Sequence, residues 1–240
     1  LVGGERFFGR RRLFRRRIWG GRGGRLVIRA ALFDLDGLLV DSERLWDGAT
    51  RDAVERHGRR DDGAEVAAHI GMRLADVTAF LHRHYRLPGT AEDFGRELVE
   101  AVRARFAAEL RPMPGAEAAL ALALDLGLAR GLASGSPRVL IDAALDRCGW
   151  TEVFSAVLSG DDVERGKPHP DIFLRAAARL GAAPEACVVL EDSVNGARAA
   201  KAAGMRCIAV PHPAMDRAAL AADVTLESLT ALEAAHLTGS

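Results

Sequence analysis

The spacing of apolar residues changes along this chain, and the changes divide it into parts. Residues 27–35 form a short, mostly apolar run of the kind that suits a strand buried on both faces, and it leads into the turn Asp34-Leu35-Asp36-Gly37. Helical spacing follows. Leu45, Trp46, Ala49, Ala53 and Val54 predict a helix over 44–58. Leu74, Val77 and Leu81 predict one over 74–86, and Leu98, Val102, Phe106 and Leu110 one over 92–110. No strand is predicted between 44 and 112.

Pro112-Met113-Pro114-Gly115 then interrupts the pattern. Beyond it, helices predicted over 116–126, 139–148, 171–180, 194–203 and 228–236 alternate with strands over 128–133, 156–158, 187–190, 205–210 and 224–226. Such alternation predicts an α/β fold: a doubly wound, mainly parallel sheet with helices on both faces. The core would comprise 26–43 and 113–240. The all-helical block 44–112 would be a cap domain above the carboxyl ends of the strands, where such sheets bind ligands.

Composition supports a folded body and narrows its partners. With 240 residues, 49% of them apolar, the chain can bury one core and a smaller second lobe. The net charge of zero hides an asymmetry. Residues 1–25 hold nine arginines and one acid, Glu5, a charge of +8 that leaves −8 on residues 26–240. A body of that sign is not expected to bind nucleic acid, whose phosphates demand positive surface. The Arg/Gly-rich residues 1–25 predict a disordered extension; a nucleic-acid or anionic-membrane tail and an organelle-targeting peptide are the alternatives.

Three cysteines, Cys148, Cys187 and Cys207, lie far apart without a Cys-x-x-Cys pair, which argues against a disulfide scaffold or zinc site and suits a reducing compartment. No apolar run reaches the roughly 18 residues needed to span a bilayer. A cytoplasmic protein with no membrane partner is expected. Spacing does not define its oligomeric state, and a monomer or weak oligomer is expected.

Four polar clusters fall at the ends of predicted strands or beside them: Asp34/Asp36, Ser134 with Gly135, Lys167, and Glu191/Asp192. Asp34 and Asp36 are two apart on an extended segment and can point the same way. Several carboxylates gathered in one crevice need a counter-cation, and hard oxygen ligands favour Mg²⁺. The chain has only two lysines, Lys167 and Lys201. Lys167 lies in the stiff loop Gly166-Lys167-Pro168-His169-Pro170, where a compact ammonium suits a phosphate or an anionic nucleophile. Each cluster alone has a structural reading: an Asp-rich turn, a Ser helix cap, a Gly-Lys-Pro turn, a Glu-Asp-Ser cap. Their shared placement favours a site.

These motifs together resemble the haloacid dehalogenase superfamily. The residues are Phe33-Asp34-Leu35-Asp36-Gly37, Leu132-Ala133-Ser134, Gly166-Lys167-Pro168 and Val189-Leu190-Glu191-Asp192-Ser193. The insertion after the first motif is similar to that of the helical-cap, β-phosphoglucomutase-like group. Asp41–Asp47, Gly71-Met72-Arg73 and Leu190–Gly196 look closest to its 2-deoxyglucose-6-phosphate and hexitol phosphatases.

The resemblance implies a Rossmann-like core and Mg²⁺-dependent hydrolysis of small phosphate esters, sugar phosphates above all. It implies Asp34 as the nucleophile that becomes an aspartyl-phosphate, and Asp36 as general acid and base. Ser134, Gly135 and Lys167 would bind the phosphoryl group. Asp34, the Asp36 carbonyl and Asp192 would bind metal, with Glu191 close by. Glu43, Trp46 and Arg73 would be cap residues facing the sugar. A phosphomutase using the same aspartate is the alternative. Asp36 weighs against a dehalogenase, and the lack of lysine in 44–112 weighs against a Schiff-base phosphonatase.

Overall fold

The computed structural model describes residues 27–63, 70–211 and 219–239. The N-terminal extension expected over 1–25 lies outside them. Among the described residues, six strands form one parallel sheet: β1 (Ala30–Phe33), β2 (Ala129–Ala133), β3 (Ala156–Leu158), β4 (Cys187–Glu191), β5 (Arg206–Ala209) and β6 (Val224–Thr225), in the order β3-β2-β1-β4-β5-β6. The chain leaves β1 for β2 on one side and returns from β3 to β4 on the other. Loops after β1, β2 and β4 therefore diverge and open a crevice at the carboxyl edge.

Alternation along the strands builds two cores. Ala31, Phe33, Leu132, Val188, Leu190 and Ile208 face one layer, while Ala30, Leu32, Ala133, Val189 and Cys207 face the other. The first layer continues into the helical insert through Leu45, Leu98 and Phe106. That insert contains α1 (Glu43–Arg56), α2 (Leu74–His84) and α3 (Ala91–Glu109), with α3 packed against both others. Its two connections run side by side: Asp41 N donates to the Arg111 carbonyl (2.9 Å) and Met113 N to the Leu39 carbonyl (2.8 Å). The remaining helices are α4 (Ala116–Asp125), α5 (Arg138–Cys148), α6 (Asp171–Leu180), α7 (Val194–Ala202) and α8 (Ala234–Thr238).

The structure shortens β1, predicted over 27–35, to four residues, because the chain turns at Asp34 to form the site. It also divides the helix predicted over 228–236. Ser228 caps a 3₁₀ turn, Leu229–Ala231, and Glu233 caps a separate short helix, α8. Each local cap satisfies orphan amides and starts a new element, which apolar spacing does not reveal. No helix among the described residues is long and apolar enough to cross a membrane.

Candidate active site

Strand register sets the site. Phe33 pairs with Leu132 on one side and Leu190 on the other, so the next residues along, Asp34, Ala133 and Glu191, end up level across three adjacent strands. Lys167 bridges all three. Its Nζ donates to Asp34 Oδ1 (2.5 Å), Glu191 Oε1 (2.5 Å) and the Ala133 carbonyl (3.0 Å), using every proton of the ammonium. The Phe173 ring lies 5.0 Å from the same nitrogen. Burial pulls the Lys167 ammonium down, but the Asp34 and Glu191 carboxylates outweigh it and the net displacement is upward.

Glu191 is anchored from the other side by the start of α7. Its Oε2 accepts from Asp192 N (3.0 Å), Ser193 N (3.0 Å) and Ser193 Oγ (2.9 Å). Both of its oxygens are thus engaged. Gly196 makes room for it: a Cβ there would lie 1.8 Å from Glu191 Oε1. Ser193 Oγ also accepts from Gly196 N (2.9 Å), closing the helix cap.

Asp34 and Asp192 are deeply buried. Burial pushes the Asp34 carboxyl up to about 8, against the pull of Lys167 and with help from Glu191 and Asp36. Burial likewise holds Asp192 well above the usual carboxylate range, reinforced by Glu191, Asp34 and Glu43. Asp192 Oδ2 has no hydrogen-bond partner. It faces the turn at Gly37, whose φ is +74° and where a Cβ would lie 2.3 Å from that oxygen. A crowded carboxylate pair served by one lysine fits a hard divalent cation, which would supply the missing positive charge. No ready cage of three or more His, Cys, Asp or Glu side chains exists among the described residues.

Asp36 is held separately. Its Oδ1 accepts from Ser42 Oγ (2.8 Å) and Trp46 Nε1 (3.1 Å); its Oδ2 accepts from Ser136 Oγ (2.7 Å) and Ser134 Oγ (3.1 Å). Spacing singled out neither Ser42 nor Ser136 as a partner, because serines in turns and caps carry no distinguishing pattern. Asp34, Asp36, Glu43, Trp46, Ser134 and Gly135 all line one cavity of about 300 Å³ between core and insert. So do Asp47 and Thr50. With Glu43 and Trp46 they recur at i, i+3, i+4 and i+7, one face of α1, a signal the sequence did contain.

Arg73 does not line this cavity. Its Nε and Nη2 donate to Asp76 (2.9 and 3.0 Å) and its Nη1 to the Val163 carbonyl (3.0 Å), so it joins the insert to the core. The neighbouring Met72 carbonyl lies where a Cβ on Gly135 would be, only 2.3 Å away. A glycine there lets the insert close on the core.

Known proteins resemble this chain over most of its length. Hexitol phosphatase B of Escherichia coli is 41% identical over 222 residues, covering 88% of this chain and 97% of that one. The phosphorylated carbohydrates phosphatase of Thermotoga maritima is 31% identical over 192 residues, covering 80% and 89%. The crystal structure of CbbY from Rhodobacter sphaeroides in complex with phosphate matches with a TM-score of 0.79 and 31% identity, covering 88% of this chain and 99% of that one. The haloacid dehalogenase-like hydrolase family model matches residues 28–204, a span that includes Asp34, Ser134, Lys167 and Asp192. A parallel sheet that aligns an aspartate, a lysine and an acid pair beneath a helical cap therefore belongs to a haloacid dehalogenase-like hydrolase, and this chain is a phosphatase member of that family.

Proposed function

We propose that the protein hydrolyses small phosphate monoesters of the sugar-phosphate class, with Asp34 as nucleophile and Mg²⁺ as cofactor. The observation that carries this is the Asp34 carboxylate, set at a cavity wall with Oδ1 fixed by Lys167. The names of the hexitol and carbohydrate phosphatases support the sugar class.

An Asp34 oxygen bonds to phosphorus as the ester P–O bond breaks. Asp36 gives its proton to the departing oxygen. It then takes a proton from the water that attacks phosphorus, and the Asp34–phosphate bond breaks to release inorganic phosphate. Ser134 and Gly135 line the cavity; the Gly135 amide, and the Ser134 hydroxyl on turning from Asp36, would donate to the phosphoryl oxygens. Lys167 fixes the nucleophile and balances its charge, and Glu191 holds Lys167. The Asp34 and Asp192 carboxylates and the Asp36 main-chain carbonyl would hold Mg²⁺, which offsets the repulsion between an anionic nucleophile and an anionic ester.

A phosphomutase could use the same aspartate. One observation favours hydrolysis: no lysine or arginine lines the cavity among the described residues, and a mutase must hold a second phosphate at the far end. Phosphate release from hexose and hexitol phosphates should require Mg²⁺. Asp34→Asn should lower it at least about 10³-fold with an unchanged circular dichroism spectrum. Conversion of β-glucose 1-phosphate to glucose 6-phosphate, without net phosphate release, would establish the mutase instead.

A further inference from the structure

The Asp36 carboxylate receives two donors on each oxygen, and the two pairs come from different parts of the molecule. Ser134 and Ser136, in the loop after β2, hold Oδ2 at 3.1 and 2.7 Å. Ser42 and Trp46, where the insert begins, hold Oδ1 at 2.8 and 3.1 Å. Ser134, Gly135 and Ser136 line the cavity, so Oδ2 is the oxygen on the side of the phosphate donors.

In the reaction above Asp36 bears a proton for part of each turnover and none for the rest. The serine hydroxyls can follow that change, because each can turn from donor to acceptor. An indole N–H only donates. Oδ1 must therefore present a lone pair to Trp46 in both states. In a carboxylic acid the carbonyl oxygen is a better acceptor than the hydroxyl oxygen, so the proton is carried on Oδ2. When Ser134 turns to the phosphoryl group, a place opens on Oδ2 while Oδ1 keeps both of its donors.

The Trp46 ring is itself fixed. It is partly buried against the core and meets Phe106 of α3 edge to face, with centroids 6.5 Å apart and planes at 89°. Its one polar atom is engaged by Asp36, which leaves no donor for a sugar hydroxyl.

Resting on the phosphatase reading above, we infer that Trp46 is a positioning residue for the reaction. Its N–H fixes the Asp36 carboxyl so that the transferable proton faces the phosphoryl site, and it does not select the sugar.

Trp46→Phe removes the N–H and keeps an aromatic ring beside Phe106. Two esters read its effect, each with Mg²⁺. A hexitol 6-phosphate expels a primary alkoxide, which needs the proton from Asp36. p-Nitrophenyl phosphate expels a stable nitrophenolate, which does not. The loss in kcat/KM caused by Trp46→Phe should be at least about fivefold greater for the hexitol 6-phosphate. Retained turnover of p-nitrophenyl phosphate shows in the same assay that the variant is folded. Calorimetry on Asp34→Asn, with and without Trp46→Phe, reads binding without turnover, and affinity for the hexitol 6-phosphate should change less than about threefold. A smaller difference between the two esters makes Trp46 a support of the wall and overturns the inference. A larger loss of affinity makes it a sugar contact and also overturns it. Turnover of the two esters by the wild type reports the phosphatase reading alone, so a failure there is distinguished from a failure of the positioning role.

Discussion

Lys167 is the residue on which the site converges. It is buried with two carboxylates and a carbonyl, one from each of three neighbouring strands, and all its protons are used. An ammonium in this position is stable only while its partners stay in register, because an unpaired buried charge costs several kcal/mol. Gly196 therefore matters at a distance. Gly196→Ala would drive a Cβ into the Glu191 carboxylate and loosen the Lys167 clamp. Thermal unfolding should show a loss of about 1–3 kcal/mol, and kcat should fall with little change in KM, because the nucleophile rather than the substrate wall is disturbed. The sequence marks Lys167 by rarity and Asp34 by its turn. Gly196 sits in a run that resembles known phosphatases, but its purpose is visible only once the Glu191 carboxylate is seen to occupy the space of its side chain.

At the scale of elements, α1 acts as a one-sided wall. Glu43, Trp46, Asp47 and Thr50 face the cavity, while Leu45, Ala49, Ala53 and Val54 are buried. Helical periodicity predicts the buried face directly. It leaves the polar face ambiguous, since a polar stripe at that spacing more often meets solvent than a ligand. Farther along, Asp223 joins α7 to β5. It accepts from Lys201 Nζ (2.8 Å) and from Cys207 N (2.8 Å). Burial pushes its carboxyl up, but the hydrogen bonds from Lys201 and Cys207 win and hold it below the usual carboxylate value. A carboxyl depressed in the folded state adds stability above its unfolded value, and that stability is lost as pH falls through the folded value. Asp223→Asn should lower Tm by a few degrees at pH 7. The difference from wild type should shrink as pH drops below about 4, where the wild-type carboxylate is itself protonated. A constant difference across that range would show that the pair contributes no charge-dependent stability.

For the whole molecule, the crowded acids predict that metal and stability are linked. Mg²⁺ bound only to the folded state must raise Tm, and by more as its concentration exceeds Kd. Thermal unfolding in EDTA and in millimolar Mg²⁺ should therefore differ. Asp192→Asn removes the orphaned Oδ2 and one buried carboxylate. It should raise Tm in EDTA, abolish the Mg²⁺-dependent increase and eliminate phosphate release. An Mg²⁺ response that survives in Asp192→Asn would place the cation elsewhere. The order of elements, the parallel alternation and the four motifs followed from the sequence, because periodicity and turn chemistry are local properties that each segment carries with it. What the cavity would hold required the tertiary structure. Strand register made Asp34, Ala133 and Glu191 acceptors of a single lysine. The packing of the insert against the core enclosed a cavity lined by Asp34 and Asp36 from one side and by residues of α1 and α2 from the other. Arg73, expected to face the substrate, instead ties the insert to the core. These outcomes depend on contacts between residues as distant in the chain as Phe33 and Leu190, or Asp34 and Lys167, which no local pattern encodes.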